Sequence, residues 1–424
     1  MKIKTARANY EDVAARPTLP HKKPLRPNIA FRTLLKVVSD AALLPVKHSF
    51  RKIGMEKLGR DEPCMYLMNH SAFIDLEIAA SMIYPRPFNI VCTSDGFVGK
   101  NWLMRQIGCI PTQKFVPDLT LVRDMLYTVK TNRTSILMFP EASYSFDGTA
   151  TPLPDSLGLC LKKLGVPLVM IRTRGAFSQN PLYNNLQLRR VPVEAEMEYR
   201  LSAEEIAEMS VEELNALLRE EFSFDHFRWQ QENGVKIKEP FRADGLNRVL
   251  YKCAHCLTEG EMHGVGTTIT CRRCGKTYEL TEEGYLRATD GETRFDHVPD
   301  WYRWERDCVR NEILRGEYAL RTEVEIAMLV DTKRIWFVGE GTLNHTADGF
   351  HLVGCDGKLD YRQSPKASYS LYADYFWYEI GDVISIGTPK VLYYCFPKGE
   401  KDVVAKTRLA TEELYKIERE KQRK

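Results

Sequence analysis

The chain has 424 residues, of which 44% are hydrophobic and 28% are charged. This composition is typical of a globular protein of about two to four domains and excludes a disordered chain. No run approaches the roughly 20 apolar residues of a membrane-spanning helix, and the polar first twenty residues contain no signal-peptide core. We therefore expect a folded protein without a membrane span.

Charge is unevenly distributed along the sequence. Residues 1–60 contain fourteen Lys or Arg and four Asp or Glu, whereas the whole chain carries only +3. A basic first segment on a mildly acidic body predicts a partner with an anionic surface, such as membrane lipid or nucleic acid. A solvated, partly disordered arm explains the same pattern without any partner.

The chain contains eleven cysteines, four of which have the spacing of metal ligands. The other seven are scattered singly, and several of them lie in apolar runs, as is typical of a reducing compartment. These features predict a cytoplasmic protein that docks peripherally on the inner face of the membrane.

The first two segments differ in pattern. Residues 1–28 are basic and interrupted by prolines, which predicts an extended or disordered arm. Residues 30–44, within a segment assigned to 29–46, place their apolar side chains on one broad helical face. Such a helix after a basic arm is suited to a membrane interface, although a helix packed on the domain core has the same pattern.

Residues 47–240 are predicted to form one α/β domain, because strand-like and helix-like segments alternate. A further helix is predicted over 203–222. This pattern favours a sandwich around a largely parallel or mixed sheet. The predicted strands are Met65–Met68, Phe88–Thr93, Ser135–Phe139, Pro167–Arg172 and Val191–Tyr199, and the predicted helices are Ser71–Ile83, Lys100–Ile107, Leu119–Lys130 and Ser156–Leu164.

Two Cys-x2-Cys pairs define the next region, residues 245–285. Cys253 and Cys256 are followed, after a β-rich spacer, by Cys271 and Cys274. Four thiolates at this spacing predict a zinc ribbon. Because four ligands complete a tetrahedral shell, the Zn²⁺ is expected to be structural, and no catalytic cofactor is expected.

Residues 295–424 are predicted to form a helix over 295–318, a β-rich domain over 320–398 and a closing helix near Val403–Lys421. Turn residues separate six short apolar or alternating runs. Six or seven strands followed by one helix resemble the outline of a pleckstrin-homology-like or related small barrel. The expected strands are Val324–Val330, Arg334–Gly339, Gly349–Gly354, Ser368–Tyr378, Val383–Ser385 and Val391–Phe396.

A histidine and an aspartate lie at the corner between the first predicted strand and helix of the α/β region. Asn69 and His70 follow the apolar run, and Asp75 comes five residues after His70. An aspartate that accepts from one imidazole nitrogen leaves the other nitrogen free as a base. Spacing alone decides nothing, because His351 and Asp356 are also five residues apart in a Gly-rich, hairpin-like stretch.

Three further motifs support the first pair. Glu141 and Ser143 follow the strand predicted to end at Phe139, Lys114 follows another likely strand, and a Val-Pro run begins at Val166. The ends of strands are where α/β folds collect their functional groups. With Asn-His-x4-Asp, these motifs resemble in order and spacing the lysophosphatidic-acid (1-acylglycerol-3-phosphate) acyltransferases of the glycerolipid acyltransferase superfamily.

The resemblance covers about residues 50–220 and has identifiable departures. Ala142 stands where the family usually has Gly, Pro111 and Lys114 match the second motif loosely, and Met170 replaces the second Pro of the fourth. What the resemblance implies is a mixed-sheet glycerol-phosphate-acyltransferase-like domain. The departures fall in motifs that handle the phosphate-bearing acceptor.

The resemblance implies acyl transfer from acyl-CoA or acyl-carrier protein to the hydroxyl of a lysophospholipid, such as 1-acylglycerol 3-phosphate. His70 is the expected base and Asp75 its orienting carboxylate. Asn69, Glu141 and Ser143 are placed at the acceptor site, with Glu141 binding a glycerol hydroxyl or holding Lys114. The acceptor phosphate needs positive charge, for which Lys114 is the first candidate and Arg172 and Arg174 are reserves.

Two other interpretations remain open. The same chemistry suits another lysolipid or a glycan hydroxyl. A different class of function is an inactive acyltransferase fold that serves as a membrane-binding or nucleic-acid-binding scaffold through the ribbon. Intact Asn69, His70, Asp75 and Glu141 argue against the scaffold. Beyond Arg272, Arg273 and Lys276 the ribbon has no dense basic stripe, so no nucleic-acid partner is expected.

Overall fold

The computed structural model describes residues 2–17, 20–399 and 402–423. The basic arm over residues 1–28, which was expected to be extended or disordered, contains a strand and a short helix. Residues 1, 18 and 19 of this arm lie outside the described part. Strand β1 (Thr5–Arg7) adds to the C-terminal sheet, and helix α1 (Tyr10–Ala14) buries Val13 completely. The predicted amphipathic helix is present as α2 (Ile29–Leu43), with Asn28 capping its first turn.

A seven-stranded mixed sheet forms the centre of the α/β region, as the alternating pattern predicts. Its strand order is β2-β8-β7-β3-β6-β4-β5, and every ladder is parallel except the one between β7 and β8. The strands are β2 (His48–Ile53), β3 (Met65–Met68), β4 (Phe88–Thr93), β5 (Cys109–Thr112), β6 (Ser135–Met138), β7 (Leu168–Arg174) and β8 (Val193–Leu201).

Helices cover both faces of this sheet, with two departures from the predicted boundaries. The first helix begins at Asp75 instead of Ser71, because the backbone after His70 forms a turn around the Asp75 carboxylate. The helix predicted over 203–222 is two helices, since Ser210 starts a new helix with its own capping box. The helices are α3 (Asp75–Ile83), α4 (Asn101–Gln106), α5 (Leu119–Lys130), α6 (Leu157–Leu164), α7 (Ala176–Gln179), α8 (Ala203–Glu208), α9 (Val211–Glu221) and α10 (His226–Glu232).

The two faces of the sheet bury different sides of each central strand. On β7, Val169 and Ile171 pack into the core that includes α3, whereas Met170 packs into the core that includes α6 and α9. Successive side chains alternate between faces, so Thr173 continues the α3 face and Arg172 the opposite face. This alternation decides which polar residues at the end of β7 reach the site.

The region predicted to form a zinc ribbon contains a small antiparallel sheet in the order β12-β11-β10-β9. Its hydrophobic side chains, such as Ile269 and Tyr278, join the core that extends into the C-terminal domain. The ribbon is therefore packed on the rest of the chain. Its strands are β9 (Met262–Val265), β10 (Thr268–Cys271), β11 (Thr277–Leu280) and β12 (Leu286–Ala288).

The C-terminal region is β-rich and ends in a helix, as predicted. Seven antiparallel strands have the order β16-β15-β14-β13-β19-β18-β17, and β1 adds to β14 in parallel. The prediction missed β16, whose alternating charged residues suit an exposed edge. The elements are α11 (Val298–Leu314), β13 (Ala319–Leu329), β14 (Ile335–Thr346), β15 (Gly349–Gly354), β16 (Leu359–Gln363), β17 (Tyr372–Trp377), β18 (Gly381–Gly387), β19 (Leu392–Pro397) and α12 (Val404–Arg423).

The C-terminal sheet packs directly on the α/β region. Val98 and Phe115 lie in one hydrophobic cluster with residues of β13 and β17–β19. The Ser368 hydroxyl donates to the carbonyl of Phe115 at 3.0 Å, and the Tyr372 hydroxyl donates to Asp95 at 2.6 Å. None of the described helices combines the length and apolar character needed to cross a bilayer.

Candidate active site

The corner between β3 and α3 brings His70 and Asp75 together. His70 Nδ1 lies 3.3 Å from Asp75 Oδ2. The same carboxylate oxygen accepts from the backbone N–H groups of Ser71 at 2.6 Å and Ala72 at 2.9 Å. The turn that delays the start of α3 therefore holds Asp75 beneath the histidine.

The imidazole of His70 lies between two aromatic rings. The ring centroids of Phe139 and Tyr144 are 4.3 Å and 4.1 Å from its own centroid. The His70 side chain is 16% exposed. When Nδ1 carries the hydrogen and donates to Asp75, Nε2 is left unprotonated, and it has no hydrogen-bond partner among the described residues. This geometry suits a general base.

Burial dominates the electrostatics of the pair. It lowers the pKa of His70 well below the ordinary value, and the positive charge of Lys114 lowers this pKa further. Burial also raises the pKa of Asp75 to about 7, although the N–H groups of Ala72 and Ser71 oppose this shift. The imidazole is therefore neutral near pH 7, which is the protonation state that a base requires.

Asn69 links the corner between β3 and α3 to β7. Its amide nitrogen donates to Ser71 Oγ and to both the carbonyl and the hydroxyl of Thr173, and its oxygen accepts from Thr173 N at 2.8 Å. These contacts occupy the whole amide of a buried side chain, so the structure gives Asn69 protein partners in place of the predicted substrate contact.

Glu141 is also a positioning group. One carboxylate oxygen accepts from the backbone N–H of His70 at 2.8 Å, and the other accepts from Thr151 N at 2.8 Å. The side chain is fully buried, and burial raises its pKa to about 8. These two hydrogen bonds take the place of the predicted contact of Glu141 with an acceptor hydroxyl or with Lys114.

Ser143 is buried and turned away from the base. Its hydroxyl donates to the carbonyl of Tyr144 at 3.4 Å and accepts from Arg408 Nη1 at 3.5 Å. Arg408 lies on α12 and also donates to the Tyr144 carbonyl at 3.3 Å. The predicted acceptor contact of Ser143 is therefore replaced by a link from the C-terminal helix to the loop that carries Tyr144.

Lys114 lies near the base, whereas Arg172 does not. The ammonium of Lys114 is 5.7 Å from the centroid of the Tyr144 ring, which also lies against the ring of His70. Arg172 points to the opposite face of the sheet and forms ion pairs with glutamates of β8 and α9. The structure therefore does not bring Arg172 to the place predicted for the acceptor phosphate, because these ion pairs hold it on the opposite face. Arg174 is exposed at the end of β7.

The sequence analysis did not identify several residues of the site, because the residues that they contact are far away in the sequence. Thr173 joins Asn69, and Thr151 joins Glu141. A second buried histidine, His226 at the start of α10, lies with Nε2 2.9 Å from the hydroxyl of Ser71. Burial lowers the pKa of His226 to about 4, so its imidazole is neutral near pH 7.

The four predicted metal ligands converge in the ribbon. The Sγ atoms of Cys253, Cys256, Cys271 and Cys274 all lie within 4.8 Å of one another. This spacing fits four thiolates around one tetrahedral ion. The cluster lies at one end of the small antiparallel sheet, in a region distinct from the β3–α3 corner.

Comparison with known proteins relates the segment around this corner to acyltransferases. Residues 49–173, which include the corner and Glu141, match the family described as Acyltransferase. A chloroplastic 1-acyl-sn-glycerol-3-phosphate acyltransferase of Brassica napus is 28% identical over 127 residues. Residues 49–173 are thus similar to acyltransferases, including one that acts in glycerolipid synthesis by its name.

The likeness is confined to part of each protein. The match spans 29% of this chain and 36% of the length of the Brassica napus relative. The crystal structure of the 1-acyl-sn-glycerophosphate (LPA) acyltransferase PlsC from Thermotoga maritima aligns at a TM-score of 0.37 and 16% identity. That alignment covers 45% of this chain and 76% of that chain. The four-cysteine region and the C-terminal sheet lie outside the residues that match the Acyltransferase family.

Proposed function

We propose that the protein transfers an acyl group from a thioester, acyl-CoA or acyl-carrier protein, to the free hydroxyl of a lysophospholipid. The observation that carries this proposal is the His70–Asp75 pair within the acyltransferase segment, with Nε2 of the imidazole free of protein partners. The proposal gives His70 the role of general base and Asp75 that of the group which orients it.

The chemistry follows from this arrangement. A hydroxyl is a poor nucleophile at neutral pH, so Nε2 of His70 removes its proton as the oxygen attacks the thioester carbonyl. Asp75 stabilises the resulting imidazolium. Collapse of the tetrahedral intermediate breaks the C–S bond, and the imidazolium returns the proton to the departing thiolate. The nucleophile belongs to the substrate, so no acyl-enzyme forms.

The acceptor needs a phosphate contact close to the base. Lys114 supplies a cation next to the Tyr144 ring that packs against His70. The name of the Brassica napus relative makes 1-acylglycerol 3-phosphate the first acceptor to test, with phosphatidic acid as its product. Another lysolipid or a glycan hydroxyl is the alternative acceptor.

The proposal places the enzyme peripherally on an anionic membrane surface, facing the cytoplasm. Support comes from apolar side chains of α2 and α4 that are exposed to solvent. The rings of Phe31 on α2 and Trp102 on α4 pack edge to face, with their centroids 5.8 Å apart. Trp102 is 68% exposed. Two helices presenting aromatic and aliphatic groups suit a lipid interface better than a core packing role. The exposed residues are Leu34, Val37, Val38, Leu44, Trp102 and Leu103.

The four-cysteine cluster is proposed to hold a structural Zn²⁺. Its donor set would complete the coordination shell of the ion and leave no position for a substrate. The metal would stabilise the ribbon and take no part in acyl transfer. The scaffold alternative is disfavoured by the intact His70–Asp75 pair.

A thiol-release assay tests the proposal directly. The purified protein is given acyl-CoA or acyl-carrier protein with a panel of lysolipid acceptors, and product lipids are measured. His70→Ala is expected to abolish acceptor-dependent thiol release without loss of the folded state. His351→Ala, at a histidine paired with Asp360 on the C-terminal sheet, is the matched control and is expected to retain full turnover. Retained turnover in the His70 variant would refute the base assignment.

A further inference from the structure

The ammonium of Lys114 has no hydrogen-bond or ion-pair partner among the described residues. It lies over the ring of Tyr372, 4.3 Å from its centroid, and 5.7 Å from the centroid of Tyr144. These rings come from opposite halves of the chain, since Tyr372 is on β17 and Tyr144 is in the acyltransferase segment. An ammonium held by aromatic faces alone keeps its hydrogen-bond donors for a ligand.

Two buried carboxylates are the negative neighbours of this lysine. Asp95 accepts from the hydroxyl of Tyr372 at 2.6 Å, and its other oxygen, Oδ1, is buried without a hydrogen-bond partner. Asp374 lies two residues after Tyr372 on β17, so both side chains leave the strand on the same face. The charges of Asp374 and Asp95 raise the pKa of Lys114 against the larger lowering effect of burial.

This cluster adjoins the base. The Tyr144 ring lies against both the His70 ring and the Lys114 ammonium, so the ammonium is within about 10 Å of the imidazole centre. The other cation that acts on Lys114 is Arg408, which is already paired with Glu412. Among the described residues, the packed junction next to His70 therefore holds the unpaired ammonium of Lys114 and the carboxyl groups of Asp95 and Asp374. Burial raises the pKa of Asp374 to about 7, and the charge of Lys114 opposes this shift.

These charges discriminate between phosphate head groups. A phosphomonoester carries nearly two negative charges at neutral pH and would meet more negative than positive charge here. A phosphodiester carries one negative charge, which Lys114 can balance. An ammonium attached to that phosphodiester would find the carboxylate of Asp374 and the faces of nearby tyrosines, both of which attract cations.

We propose that the acceptor is a lysophospholipid whose phosphodiester head group ends in an ammonium, and that Asp374 of the C-terminal sheet selects it. This inference rests on the proposed acyl transfer and narrows its acceptor. Lys114 contacts the phosphate, Asp374 contacts the ammonium, and Tyr372 forms the wall between them. The C-terminal sheet is thus part of the acceptor site.

Acceptor competition in the thiol-release assay tests this inference. The kcat/KM of the unmodified enzyme is expected to be at least about tenfold higher for 1-acylglycerol 3-phosphoethanolamine than for 1-acylglycerol 3-phosphate. One charge-assisted hydrogen bond accounts for a difference of about this size. Asp374→Asn is expected to reduce this preference about tenfold or more. Asp374→Glu keeps the charge and is expected to retain the preference. Asp360→Asn, an exposed change of the same charge on β16, is the control and is expected to leave both acceptors unaffected.

Binding of soluble head groups separates failure of this inference from failure of the proposed function. Calorimetry on the unmodified protein is expected to give tighter binding of glycerophosphoethanolamine than of glycerol 3-phosphate, whether or not thiol release occurs. An enzyme that prefers 1-acylglycerol 3-phosphate, or an Asp374→Asn variant that folds and keeps the original preference, would overturn the inference. Absence of thiol release with every acceptor would instead overturn the acyl transfer on which it rests.

Discussion

The carboxylate of Glu141 accepts a hydrogen bond of 2.8 Å from the backbone N–H of His70. It thereby joins the corner after β3 to the loop after β6, and its second oxygen is held by Thr151. Because the side chain of Glu141 reaches the backbone of His70 from the loop after a neighbouring strand, it fixes the position of the His70 backbone, from which the imidazole projects. We infer that Glu141 positions His70 and does not bind the acceptor.

Substitution of Glu141 separates these two roles. Glu141→Gln replaces one accepting oxygen with an amide that faces an N–H donor, so kcat is expected to fall about tenfold or more while the acceptor KM changes little. Glu141→Ala leaves two buried N–H groups unpaired, and its free energy of unfolding is expected to fall by about 2 to 4 kcal/mol. Steady-state kinetics and denaturant unfolding measure these effects.

The exposed Glu208→Gln provides the matched control for this change, and neither kinetics nor stability is expected to change. A large rise in acceptor KM with unchanged kcat in Glu141→Gln would instead assign the carboxylate to acceptor binding.

Local pattern was sufficient to predict the parts of the site that one short segment forms. His70 meets Asp75 at a corner made of a buried strand, a polar pair and the start of a helix. The two Cys-x2-Cys pairs bring four cysteines together. The second pair with the same spacing behaves differently: His351 contacts Asp360 at 3.0 Å, because both are on paired antiparallel strands. Context around the residues therefore mattered more than their spacing.

Contacts between remote segments could not be predicted in this way. Residue type suggested that Arg172 binds phosphate, but strand alternation turns it toward Glu198 and Glu221 on the other face. The contributions of Arg408 and Asp374 depend on how α12 and β17 pack against the acyltransferase segment. No pattern within either segment specifies that packing.

Removal of the Lys114 charge is expected to move the pH dependence of the reaction. The base must be neutral, so kcat/KM falls when pH drops below the pKa of His70. Burial first, and then the charge of Lys114, hold that pKa well below its ordinary value. In Lys114→Met the pKa rises, and the acidic limb of the kcat/KM profile shifts to higher pH.

Lys163→Met removes an exposed lysine and is the control for this profile. Its acidic limb is expected to coincide with that of the unmodified enzyme. A Lys114→Met limb that stays in place or shifts to lower pH would show that Lys114 does not act electrostatically on His70.

The cysteine cluster predicts one zinc ion per chain. Cys253→Ser is expected to lower the zinc content well below one equivalent and to destabilise the ribbon, because three thiolates hold the metal less tightly than four. Elemental analysis and thermal unfolding with and without a chelator measure this. Cys308→Ser changes a half-buried cysteine outside the cluster and is expected to keep the metal. A Cys253→Ser variant that retains a full equivalent would contradict the assignment.

Ala142 has a positive φ of 56°, at the motif position where the resembling family usually has glycine. The left-handed conformation costs an alanine about 1 to 2 kcal/mol, whereas glycine adopts it freely at an entropic cost of about 0.5 to 1 kcal/mol. Ala142→Gly is therefore expected to raise the free energy of unfolding by up to about 1 kcal/mol. Ala207→Gly, an exposed position within α8, is the opposite control and is expected to lower it by about 1 kcal/mol. Equal destabilisation by both substitutions would mean that the turn between Glu141 and Ser143 does not strain Ala142.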